Sequence, residues 1–188
     1  IKEDADYEGV RVTFLGHLQN ARINMQIDMG FDDVVAPEPK MLSYPTILDH
    51  QPPQIRGYPA ETVVAEKFQT MVQLGQLNSR IRDFYDIWSM ARQFEFNGET
   101  LQHAIGNTFS HRETAMDLSP TAFQETFTED AAKQSQWTGF CRKSKIESAP
   151  KQFPELVSEI AAFLTPVAEA IVESRTLDST WKPGGPWQ

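Results

Sequence analysis

The sequence predicts an α+β protein, on three observations. Two early stretches alternate apolar and polar residues with the period of a β-strand. From Pro59 onward the apolar residues recur at helical spacing between recognisable start and stop signals. The stretch between them, 31–53, holds five of the twelve prolines and reads as an irregular connection. The chain therefore divides into a region of strands and a first helix, 1–75, and a helical region, 76–188.

In order, Val10, Val12 and Phe14 alternate with Arg11 and Thr13, predicting a strand from Tyr7 to His17. Ile23, Met25, Ile27 and Met29 alternate with Arg22, Asn24, Gln26 and Asp28, a second strand with one apolar and one polar face, and Gly16 to Asn20 reads as the hairpin loop. Short strands are expected near Met41 to Tyr44 and at Gln54 to Tyr58. Pro59 opens a helix at the position where its missing N–H is harmless, and Gly75 ends it after Leu74. Asn78 or Ser79 should cap a second helix through about Phe94, and Asn97 or Gly98 a third to about Phe109. Ser119 introduces a helical region to Cys141. Pro154 opens a long helix with Leu156, Ile160, Phe163, Leu164, Val167 and Ile171 on one face, kinked at Pro166. Trp181 to Gln188 form a tail that either docks or hangs free.

Composition narrows the function classes. With 40% apolar and 23% charged residues the chain is of globular composition, and no window approaches the ~18 consecutive apolar residues of a membrane span. Cys141 is the single cysteine, and His17, His50, His103 and His111 lack metal-ligand spacing, so a reducing cytoplasm is the expected home. A net charge of −9 opposes non-specific nucleic-acid binding. Arg142, Lys143 and Lys145 form one local basic patch, either an RNA contact or a solvated turn. Ile1 is not methionine and no turn signal precedes the first strand, so an upstream segment is expected.

Three sets of residues carry potential chemistry. Asp28, on the polar face of the second strand, is either a solvated acid or a hard-oxygen ligand for Mg²⁺. Lys67 falls inside the apolar arc of the first helix drawn through Ala60, Val63, Val64, Phe68, Met71 and Leu74, so its ammonium either snorkels to water or serves an anion such as a phosphate. Asp83 and Asp86 stand opposite an apolar face of Ile81, Phe84, Tyr85, Trp88 and Ala91, beside Ile87 and Met90. Arg80 with Asp83 and Arg82 with Asp86 have the spacing of ordinary surface pairs, or belong to a site.

ARINMQIDMGFDD (Ala21 to Asp33), YPAETVVAEKF (Tyr58 to Phe68) and SRIRDFYDIWSM (Ser79 to Met90) together resemble, in order and spacing, the nucleotidyl transferase AbiEii/AbiGii toxin family; DYEGVRV (Asp6 to Val12) resembles the element before its aspartate strand. The resemblance implies a partial polymerase-β-like nucleotidyltransferase sheet of antiparallel strands in 1–75, followed by helices. It implies transfer of a nucleoside monophosphate from an NTP to an acceptor hydroxyl with Mg²⁺, in an abortive-infection or toxin–antitoxin setting. A tRNA 3′ end is a possible acceptor and an antitoxin protein the expected counterpart. Asp28 then matches a metal carboxylate, Lys67 the lysine that holds the triphosphate and Asp83 the essential acid, with Asp86 and Arg80 or Arg82 in support. The family's Gly-Gly-Ser/Thr loop and Asp-x-Asp pair do not occur in the 188 residues; Asp4-Ala5-Asp6 imitates the spacing without the glycine turn. This chain alone is therefore expected to be inactive, and a non-catalytic protein-binding or regulatory module of the same fold is the alternative.

Overall fold

The computed structural model describes residues 9–31 and 34–188 and is α+β, with every strand pair antiparallel. Asp4, Asp6, Tyr7, Asp32 and Asp33, which the sequence reading invokes, lie outside the described residues. The chain forms two compact units, Ile1–Val34 and Val35–Gln188.

In the first unit β1 (Gly9–Leu18) pairs with β2 (Ala21–Gly30) through a turn of only Gln19 and Asn20, shorter than the predicted loop. The register sets Val10 opposite Met29, Val12 opposite Ile27 and Phe14 opposite Met25. The alternate face sets Arg11 opposite Asp28 and Thr13 opposite Gln26.

In the second unit β3 (Lys40–Ser43) pairs with β4 (Gln54–Gly57) as a small hairpin. Then come α1 (Ala60–Leu74), α2 (Ile81–Gln93), β5 (Phe96–Asn97) and α3 (Gly98–His111). Asn97 caps α3 by accepting from the Thr100 N–H at 2.9 Å, as its position suggests. The predicted helical region from Ser119 breaks into α4 (Glu125–Thr128) and α5 (Ala131–Ser144), because Asp130 starts a new helix by accepting from the Ala132 N–H at 2.7 Å. α6 (Phe153–Val172) continues through Pro166. The tail docks: β6 (Thr180–Trp181) pairs with β5, a pairing too short for strand periodicity to reveal.

The core lies among α1, α2, α3 and α6 and is rich in large rings, including Phe68, Phe84, Phe96, Trp137, Phe153 and Phe163. Its relation to α1 is rotated from the expected one. The buried residues are Thr62, Val64, Ala65, Phe68, Gln69 and Met71, an arc roughly a quarter-turn from the one drawn on apolarity. Polar residues can occupy that arc because each finds partners. The Thr62 hydroxyl donates to the Ala36 carbonyl at 2.8 Å; the Gln69 amide donates to Thr114 and accepts from Arg112, both at 2.8 Å. Lys67 consequently sits at the margin of the buried arc. On α2, Ile87 is buried and Tyr85 is not fully so, which brings Asp83 to the margin of that helix's buried face as well.

Candidate active site

Those two margins meet. Lys67 Nζ donates to Asp83 Oδ1 at 2.6 Å and lies 2.9 Å from Asp86 Oδ2, so one ammonium from α1 bridges two carboxylates on successive turns of α2. The i,i+3 spacing makes this possible, since it sets both acids on one side of α2. The three side chains are 21%, 16% and 27% exposed, shielded enough for their charges to interact strongly but open to a ligand. Arg80 Nε and Arg82 Nε each stand 3.7 Å from Asp83 Oδ2 and Asp86 Oδ2 respectively, and both guanidinium side chains are mostly in solvent. These are loose pairs, beyond hydrogen-bond reach.

Burial alone would pull the Lys67 pKa down; hydrogen bonds to Asp83 and Asp86, with their negative charge, outweigh it and hold the ammonium above the ordinary lysine value. A lysine raised on folding contributes stability that is complete below its unfolded value of about 10.4 and is lost as pH climbs through the folded value. The stability difference between the native chain and Lys67→Met should therefore be flat from about pH 6 to about pH 9 and shrink only above ~10.4 in urea titrations. A decline between neutrality and pH ~9 would contradict the bridge.

The start of α2 is set from behind. Asn78 is buried; its side chain accepts from the Arg80 N–H at 2.8 Å rather than capping the helix interior as expected. Buried Lys133 on α5 donates to the carbonyls of Asn78 at 2.5 Å and Gln76 at 3.3 Å, with its ammonium 4.6 Å from the Phe127 ring centroid. Lys133 leaves only a weak mark in the sequence, as one cation in a helix of low amphipathicity. Lys133→Met strands two carbonyls and should cost about 1–3 kcal/mol. Hydrogen exchange should quicken at the Ile81 and Asp83 amides, which bond to Ser79 and Arg80 carbonyls in this turn; unchanged exchange there would remove Lys133 from the account.

In the first unit, Asp28 Oδ1 accepts from Arg11 Nε at 2.6 Å, and Oδ2 accepts from Arg11 Nη2 at 3.1 Å and from the Gln26 amide at 2.8 Å. Arg11 was not singled out from sequence, because a hairpin loop of undefined length leaves the cross-strand register open. Asp28 is exposed, and both of its carboxylate oxygens are engaged in these hydrogen bonds. Among the described residues no group of three or more His, Cys, Asp or Glu gathers that could hold a metal ion.

The family model described as "Nucleotidyl transferase AbiEii toxin, Type IV TA system" matches residues 1–160, most of the chain and all of the residues above. The chain belongs to this AbiEii family. The family is one of nucleotidyl transferase toxins, and its toxin–antitoxin character implies a cognate antitoxin. No curated protein and no solved structure matches the chain. Among the described residues of this AbiEii member, no helix is long and apolar enough to cross a membrane.

Proposed function

We propose that this AbiEii-family chain contributes the helix-borne half of an NTP-dependent nucleotidyltransferase site. The observation that carries the reading is the Lys67 ammonium held by Asp83 and Asp86 at a partly open junction of two helices. An ammonium has three N–H donors, and two are committed to the aspartates, leaving one for a phosphate oxygen. The aspartates keep the lysine charged and fix its position before substrate arrives, which is what catalysis by positioning requires. Arg80 and Arg82, loosely paired and exposed, are free to swing towards a triphosphate.

In the reaction the oxygen of an acceptor hydroxyl, such as that of a tRNA 3′ end, forms a bond to the α-phosphorus of the NTP and releases its proton to solvent. The α–β bridging bond breaks and pyrophosphate leaves with its electron pair. Mg²⁺, when bound, supplies charge neutralisation on the phosphates. Lys67 stabilises the departing negative charge.

This reading needs the Gly-Gly-Ser/Thr loop and Asp-x-Asp pair from a preceding segment, and it places the protein in the cytoplasm with its NTP pool. The test is incorporation of labelled nucleotide into an RNA pool, by this chain and by a longer protein in which upstream DNA encodes that loop and pair. Incorporation by the longer protein alone supports the proposal; none by either overturns it.

The alternative is a non-catalytic regulatory module. What favours it is that the Gly-Gly-Ser/Thr loop does not occur in the 188 residues. A reading frame beginning at or near Ile1, together with inactivity, would make it the better account.

A further inference from the structure

Elsewhere in the second unit, a cavity of about 570 Å³ opens between α2, α6 and the C-terminal turn, within the roughly 300–1,000 Å³ of small-molecule sites. Three indoles, Trp88, Trp181 and Trp187, line it together with Ala91, Ala162 and Pro166. Each indole N–H is already bonded: Trp88 to Glu159 Oε2 at 2.8 Å, Trp181 to the Ala91 carbonyl at 2.7 Å and Trp187 to the Phe163 carbonyl at 3.0 Å. The rings are therefore fixed by their edges. Gly185 closes the turn at φ +76°, where a Cβ would lie 2.5 Å from Trp181, so turn and ring are fitted to one another. The cavity is built into the fold.

Its polar corner is a neutral pair. Arg92 Nη1 donates to Glu159 Oε2 at 3.1 Å, and the Arg92 guanidinium lies 5.3 Å from the Trp88 ring centroid. Oε2 takes both bonds, which leaves Oε1 as an acceptor and most of the five guanidinium N–H groups as donors side by side. The pair carries no net charge, so it offers no net attraction to a cation or an anion. A neutral ring with a donor beside an acceptor on its edge satisfies both groups, while its apolar surface meets the indole, alanine and proline lining.

We propose that this cavity binds a neutral, planar heteroaromatic ring of nucleobase type, at a site separate from the Lys67 cluster. None of its lining residues belongs to that cluster, and Ala162, Pro166, Trp181 and Trp187 lie beyond the residues matched by the family model. The ring could arrive as a free nucleoside or as an unpaired base of RNA, because the recognition chemistry is shared.

The test uses the whole chain with adenosine, guanosine, cytidine and uridine, and with a short single-stranded RNA oligonucleotide. Cyclohexanol, benzamidine and benzoate serve as aliphatic, cationic and anionic comparators. Binding is read by quenching of tryptophan emission and by saturation-transfer NMR. At least one nucleoside or the oligonucleotide should bind saturably. Affinity should fall about tenfold or more in Ala162→Phe, which fills the cavity from an exposed helical position, and in Glu159→Gln, which removes the charged acceptor. Lys67→Ala should bind as the native chain does, so this outcome is independent of the transferase reading. Tighter binding of the nucleoside identifies a small-molecule site, and tighter binding of the oligonucleotide an RNA contact. No saturable binding, comparators that bind as tightly, or unchanged affinity in Ala162→Phe would overturn the site. Unchanged affinity in Glu159→Gln would overturn the edge recognition that defines the ligand class.

Discussion

Replacing Lys67 with alanine in an active protein that carries this chain should reduce nucleotide incorporation by at least about 10²–10³-fold, the effect of removing one preorganised charge from a developing anion. The same substitution leaves Asp83 and Asp86 without the ammonium that bridges them. Because all three groups keep some access to water, the loss of stability should be modest, about 1–3 kcal/mol, smaller than for a fully buried pair. Asp83→Ala should match it in activity, since the closer of the two contacts, at 2.6 Å, goes with it. Asp86→Ala should be milder, about tenfold, because Asp83 still holds the lysine. Labelled-nucleotide incorporation and urea midpoints measured on the same preparations separate the two effects. Full incorporation by both Lys67→Ala and Asp83→Ala would remove these residues from the site.

The largest effect on stability is expected at Trp181. Its ring packs against Phe163 at 4.9 Å and Trp187 at 5.6 Å between centroids, its N–H reaches the Ala91 carbonyl, and its backbone pairs with Phe96. It thereby fastens the tail to α2, α6 and β5 at once. Trp181→Ala should cost about 3–5 kcal/mol, since both ring burial and a buried hydrogen bond disappear. Trp181→Phe should recover roughly half, keeping the ring and losing the N–H donor. A urea midpoint in Trp181→Ala within error of the native chain would mean that the tail is ornamental to the fold.

The elements of this protein were legible from sequence where the signal is local. Pro59 and Gly75 bound α1, Asn97 caps α3 and strict alternation marks β2, because each depends on residues within one turn or one strand. The motifs on β2, α1 and α2 were legible for the same reason, and they suffice to indicate the family. The face of α1 was not. Thr62 and Gln69 are polar, yet they are buried because Ala36, Arg112 and Thr114, remote in sequence, supply their hydrogen bonds.

By itself, then, the sequence determined the fold class, the order of most elements and the residue types available for chemistry, all of which follow from backbone periodicity and side-chain identity. Only the tertiary structure decided which groups meet: Lys67 with Asp83 and Asp86, Arg11 with Asp28, Lys133 with the turn before α2, and three tryptophans around one cavity. Such pairings depend on helix rotation and strand register, quantities that long-range packing sets and that no local pattern encodes.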